Sequence, residues 1–125
     1  MFDVKNCRVI ITGAAQGFGK EFAKRMLQKS CKICLSDINE IKGLETKAEF
    51  QKIFDLDDHS LCFIKCDVAD KDAWDILWNE AERTLEGPID ILVNNAGLNH
   101  LVCTLCSVIM FLYVLVLQNM SSNTC

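Results

Sequence analysis

The stretch Thr12-Gly13-Ala14-Ala15-Gln16-Gly17-Phe18-Gly19 decides how the rest of this chain is read. It follows the apolar run Cys7-Arg8-Val9-Ile10-Ile11, too short and too rich in β-branched residues to be a helix, so the local order is strand, glycine turn, helix. Glycines at 13, 17 and 19 let the backbone turn tightly off the strand and approach a pyrophosphate without a Cβ in the way. The helix that starts there presents free N–H groups to the same phosphates. The spacing is Gly-x-x-x-Gly-x-Gly and not the commoner Gly-x-Gly-x-x-Gly. Turns also collect glycine for structural reasons, so the triplet gains its weight from the residues on its C-terminal side.

Beyond the turn, Phe18, Phe22, Ala23, Met26 and Leu27 recur at helical spacing, with Lys20, Glu21, Lys24, Arg25 and Gln28 opposite, which predicts an amphipathic helix from Gly17 to about Lys29. Lys32-Ile33-Cys34-Leu35-Ser36 is a second strand ending at Asp37, and Asn39 suits the N-cap of a helix running through Ile41, Leu44 and Ala48 towards Phe50. Residues 55–60 read as a polar loop in which His59 is solvated. Leu61 to Cys66 form a third strand that ends in Asp67-Val68. Asp70 then caps a helix with the stripe Trp74, Leu77, Trp78, Ala81 and Leu85, stopped by Gly87-Pro88. Ile89 to Val93 form a fourth strand, followed at once by Asn94-Asn95-Ala96-Gly97. Unbroken alternation of this kind predicts a Rossmann-type α/β fold: a parallel sheet in strand order 3-2-1-4 with helices on both faces.

Composition narrows the classes. The 125 residues suffice for one domain with a real core. A net charge of −4 supplies no basic surface for nucleic acid. The first five residues hold no apolar core of signal-peptide length, so a cytoplasmic protein is expected. Eight cysteines raise a metal site or a disulfide framework, but Cys31 and Cys34 stand three apart at a strand and face opposite ways. The cysteines are read as reduced, buried, small apolar side chains, and no metal site is expected.

After Leu98 the character changes. Residues 101–117 carry no charge, and seventeen residues is the lower limit for a bilayer-spanning helix. A membrane anchor and a buried apolar segment both stay open, because no Lys or Arg flanks the run and Thr104 and Ser107 interrupt it. The expected organisation is a nucleotide-binding half-domain over 1–98 and a divergent apolar tail over 99–125.

Asp37 stands 18 residues beyond Gly19, at the end of the second strand. A carboxylate there accepts hydrogen bonds from both adenosine ribose hydroxyls and repels a 2′-phosphate, which predicts NAD and not NADP.

Taken together, Thr12-Gly13-x-x-x-Gly17-x-Gly19, Asp37, Asp67-Val68 and Asn94-Asn95-Ala96-Gly97 resemble the short-chain dehydrogenase/reductase family over residues 5 to about 99. More narrowly, Thr12 to Gly17, Cys66 to Asp70 and Asp90 to Gly97 are similar to its NAD-dependent 15-hydroxyprostaglandin dehydrogenase branch. The resemblance implies that Gly13, Gly17, Phe18 and Gly19 line the pyrophosphate and that Asp37 and Ile38 meet the adenosine ribose. It further implies that Asp67 and Val68 flank the adenine, and that Asn94, Ala96 and Gly97 support the central strands and the nicotinamide-side ribose.

The same resemblance implies hydride transfer between NAD and a secondary alcohol such as a hydroxylated fatty acid, using a serine and a Tyr-x-x-x-Lys. The one tyrosine, Tyr113, is followed four residues later by Leu117, and no lysine occurs after Lys71. A tyrosine without a neighbouring cation titrates at about 10 and is a poor base at neutral pH. Asn119-Met120-Ser121-Ser122 echoes the family's serine segment about 20 residues too early. No catalytic residue is therefore assigned, and the fold is expected to be truncated before its catalytic half. Two other readings are a non-catalytic NAD-binding or regulatory module, which self-associates or pairs with a full-length dehydrogenase through an open sheet edge, and a tail-anchored membrane protein.

Overall fold

The computed structural model describes residues 3–95. Seven elements alternate: β1 (Arg8–Thr12), α1 (Gly17–Gln28), β2 (Lys32–Asp37), α2 (Glu40–Phe54), β3 (Leu61–Lys65), α3 (Lys71–Thr84) and β4 (Ile91–Asn94). The four strands form one sheet in the order β3-β2-β1-β4, and every pairing is parallel. Fold class and strand order agree with the expectation from sequence. The expected tail over 99–125, its apolar run 101–117, and Ala96 and Gly97 lie outside the described residues. Among the described residues no helix is long and apolar enough to cross a membrane.

Strand alternation divides the core in two. Val9, Ile11, Ile33, Leu35, Leu61, Ile91 and Val93 face Ala23, Met26 and Leu27 of α1 and Phe50 of α2. On the other side Ile10, Cys34 and Cys62 face Leu77 and Ala81 of α3 and the adjoining Leu85. A side-chain period of two in strands buried on both faces requires this partition, and helices on both faces satisfy it. Cys31 and Cys34 accordingly belong to opposite clusters. Cys31, Cys34, Cys62 and Cys66 are free and buried, as expected. Burial pushes the Cys31 thiol up to about 11, so it stays protonated at neutral pH. Cys7 is buried as well.

Element ends shift where local signals compete. The second helix runs four residues past the expected Phe50, because Phe54 packs on the same core and meets Phe50 edge-on with ring centroids 6.2 Å apart. Its end is set by Asp55, which adopts a left-handed backbone with φ +55°. The fourth strand starts at Ile91, not Ile89, since Asp90 is occupied in closing the loop: its N–H donates to the Arg8 carbonyl and its carboxylate accepts from the Arg8 N–H. Arg8 also donates through its guanidinium to the carbonyls of Leu85 and Glu86, tying the end of α3 to the start of β1. Trp74 and Trp78 are half-buried, so the fully buried part of the α3 stripe is Leu77, Ala81 and Leu85.

His59 is exposed but partnered. Its Nδ1 lies 3.1 Å from the Thr84 carbonyl oxygen and 3.7 Å from the Glu86 carboxylate. The carbonyl first and the carboxylate second favour the protonated ring and raise its pKa above the ordinary value. A group raised on folding adds stability below its unfolded pKa of about 6.5 and loses that contribution as pH rises through the folded value. Ring-proton NMR titration should therefore place the His59 midpoint above that reference, and Glu86→Gln should move it part of the way back. A midpoint at or below the reference would refute the assignment.

Candidate functional site

A parallel sheet in this order brings the carboxyl ends of all four strands to one rim, where open α/β sheets bind ligands. Residues 13–16 turn off β1 there, and Asp37 ends β2 beside them. Asp67 and Val68 follow β3, Asn94 ends β4 and Asn95 comes directly after it. One rim thus gathers every described residue expected at the site. Asp67 is exposed with its carboxylate accepting from the Ala69 N–H at 3.0 Å, and Asn94 is exposed.

The turn uses two backbone conformations that side chains resist: Gly13 at φ +65° and Gly17 at φ +64°. Among the described residues a Cβ at Gly17 would meet nothing within 4 Å. Gly19 differs. It is buried, and a Cβ there would collide with the Gly13 carbonyl and with Asn95 Nδ2 at 2.7 Å. Its contribution is close packing of α1 on the turn, with the Asn95 amide donating to the Gly13 carbonyl at 3.2 Å. Phe18, on the first turn of α1, is exposed and stacks with Phe22 at a centroid separation of 6.2 Å.

Helix starts separate the site from the scaffold. The Asn39 side chain caps α2 by accepting from the Lys42 N–H, and Asp70 caps α3 by accepting from the Asp72 N–H. Both helices also carry an acidic residue in the first turn. By contrast α1 has Gln16 at its N-cap with no side-chain cap and no acidic residue in its first turn. Its leading N–H groups and positive dipole end are left to an anion.

Asp37 is half-buried and already bonded on both oxygens: Oδ2 accepts from the Ala15 N–H and Oδ1 from the Asn39 N–H, each at 3.0 Å. A carboxylate oxygen has a second lone pair, so these bonds leave acceptor capacity for hydroxyls. Ile38 beside it is 60% exposed, a large apolar side chain facing solvent at the rim. The Asp37 carbonyl accepts from the Cys66 N–H at 3.2 Å, which holds the Asp67-Val68 corner next to the carboxylate.

Two contributors escape a reading of the sequence by motif, and a third, Thr12, belongs to the motif but makes a contact that the motif does not tell. Thr46, 2% exposed on α2, donates its hydroxyl to the Ala15 carbonyl at 2.7 Å. Trp74 donates its indole N–H to the Val68 carbonyl at 2.9 Å, fixing a residue expected at the adenine. The helical stripe identified Trp74 as core; the need of a half-buried indole for an acceptor was the signal for the second role. Thr12, at the end of β1, donates its hydroxyl to Asn94 Oδ1 at 3.1 Å and so couples the glycine turn to the end of β4.

The sheet order, the left-handed glycine turn, the uncapped helix start and the carboxylate at the end of β2 define a Rossmann-type α/β unit. The family described as short chain dehydrogenase matches residues 8–107, and the chain belongs to that family. It is 40% identical over 93 residues to 15-hydroxyprostaglandin dehydrogenase (NAD(+)) of Bos taurus, an alignment covering 73% of this chain and 33% of that protein. Among solved structures, hydroxysteroid dehydrogenase from Escherichia coli is 31% identical with a TM-score of 0.67, covering 75% of this chain and 37% of that one. A short chain dehydrogenase from Mycobacterium smegmatis is 28% identical with a TM-score of 0.70, covering 94% and 49%. The chain spans about a third of the length of the curated relatives it matches first.

Proposed function

We propose that these residues form the cofactor-binding part of an NAD-dependent oxidoreductase of the short-chain dehydrogenase type, acting on a secondary alcohol such as a hydroxylated fatty acid. The observation that carries the cofactor is the pairing of an uncapped α1 start with the Asp37 carboxylate bonded to the same turn at 3.0 Å. Gly13, Gly17, Phe18 and the α1 N–H groups would take the pyrophosphate, with Gly19 holding the helix against the turn. Asp37 and Ile38 would take the adenosine ribose, and Asp67 and Val68 the adenine. Asn94 and Asn95 would brace the turn from β4. The residues fit the group: among the described residues no side chain comes within 4 Å of a Cβ at Gly17, and the first turn of α1 carries no competing carboxylate. Bound NAD supplies the hydride acceptor. The sequence contains no Tyr-x-x-x-Lys, so no proton transfer is assigned to a side chain of these 125 residues. The substrate class rests on the relatives similar to this chain, the first of which are named as prostaglandin dehydrogenases.

The test is a fluorescence titration of the purified chain with NADH and, separately, NADPH, on a sample shown by circular dichroism to be folded. Saturable NADH binding, with NADPH at least ~10-fold weaker, is the expected result. A folded chain that does not saturate with NADH rejects the reading.

A further inference from the structure

We propose that Thr46 is a positioning residue for the phosphate-binding turn: from the second turn of α2 its hydroxyl holds Ala15, and with it the turn, against the ribose carboxylate of Asp37. The inference rests on the NAD reading above for its functional meaning, while the contact itself is a property of the fold.

Threonine inside a helix ordinarily turns its hydroxyl onto a carbonyl of its own helix one turn back. Thr46 does not. Its Oγ1 leaves α2 and donates at 2.7 Å to the carbonyl of Ala15, 31 residues away, and both residues are 2% exposed. A buried hydroxyl and a buried carbonyl each cost free energy when unpaired, so the bond is constrained from both sides.

The same short segment is gripped twice more. The Ala15 N–H donates to Asp37 Oδ2 at 3.0 Å, and the Ala14 N–H donates to the Ser36 carbonyl at 3.0 Å. Segment 36–46 therefore holds the outer half of the turn through three bonds that approach Ala14 and Ala15 from β2, from the β2–α2 corner and from α2. Asp37 alone would fix only the N–H side of Ala15. Thr46 fixes the carbonyl side, which sets the plane of the Ala15–Gln16 peptide and the direction in which Gln16 and Gly17 enter α1. The site for pyrophosphate and the site for ribose become one rigid body, and ligand binding need not order the turn.

The experiment uses Thr46→Val, which removes the hydroxyl and keeps the shape, and Thr46→Ser, which keeps the hydroxyl. Two measurements are made on the full chain: amide hydrogen exchange in the absence of ligand, and NADH titration. In Thr46→Val, exchange at Ala14 and Ala15, whose amides are bonded to the Ser36 carbonyl and the Asp37 carboxylate, should quicken while the amides of β1 and β2 keep their protection, and the NADH dissociation constant should rise about five- to tenfold. Thr46→Ser should restore both. Wild-type exchange at the turn in Thr46→Val overturns the positioning role. So does unchanged NADH affinity in a chain that binds it. If the wild-type chain binds no NADH, the NAD reading fails by itself and exchange at the turn still decides whether Thr46 holds it. Should Thr46→Val not fold, Thr46→Ala is set against Thr46→Ser: a loosened turn in the alanine variant alone supports the role, and the same behaviour in both overturns it.

Discussion

Chains carrying Asp37→Ala are expected to bind NADH at least ~10-fold more weakly than wild type, and to lose their discrimination against NADPH. The size reflects what the carboxylate would do. Hydrogen bonds to a charged group contribute about 1.5–3 kcal/mol each, and two ribose hydroxyls would share this one acceptor. Loss of either bond alone corresponds to more than ~10-fold in affinity. A second loss adds to it, because the Ala15 N–H and the Asn39 N–H both give up their partner at 3.0 Å and the turn loosens before any ligand arrives. Discrimination falls for a separate reason: the negative charge that would repel a 2′-phosphate is gone. Asp37→Asn separates the effects, since its amide oxygen can still accept from Ala15 while the charge is lost. The alanine variant should therefore weaken NADH more than the asparagine variant, and both should bind NADPH relatively better. Fluorescence titration with the two cofactors is the measurement, and an alanine variant that binds NADH like wild type would remove Asp37 from the site.

Gly19→Ala should damage the chain through packing and not through chemistry. A methyl group placed there runs into the Gly13 carbonyl oxygen, with the Gly13 carbonyl carbon 2.9 Å away and Asn95 Nδ2 2.7 Å away. The Asn95 amide can rotate, but the Gly13 backbone is held in the left-handed turn at φ +65° and has nowhere to go. Relief requires α1 to back away from the end of β1, which opens the contact that aims its first N–H groups. Overpacking of a tight contact costs about 1–3 kcal/mol. Thermal denaturation followed by circular dichroism should show the loss as a lower Tm, and NADH binding should weaken in the residual folded chain. Gly17→Ala is the informative partner. Its Cβ would meet none of the described residues, so its cost comes from the φ of +64° and amounts to about 1 kcal/mol. A Gly19 variant no less stable than the Gly17 variant would contradict the packing argument.

The sequence by itself determined the parallel α/β class and the order β3-β2-β1-β4, because short apolar runs, amphipathic stripes and right-handed crossovers leave little choice of topology. It determined the caps as well: Asn39 and Asp70 stand where a short polar side chain precedes a helical stripe, and both accept the bond expected of them. It also placed Asp37, Asp67 and Asn94 at strand ends, hence at one rim. The shifts it did not convey involve partners distant along the chain. Arg8 moves the start of β4 by bonding Asp90, 82 residues away, and Phe54 extends α2 by joining a core formed by other elements. The division of labour among the glycines was likewise illegible, since identical residues in one motif differ only in what surrounds them: none of the described residues against a Cβ at Gly17, a carbonyl and an amide at Gly19. Spacing put Trp74 on the buried stripe of its helix and gave no sign of Thr46, and it showed neither bond: those to Ala15 and Val68 exist only once α2 and α3 lie on the sheet. Periodicity along a chain reports which face of an element is buried. Which atom a buried donor reaches depends on the angle and register at which two elements pack, and that is decided by the tertiary structure alone.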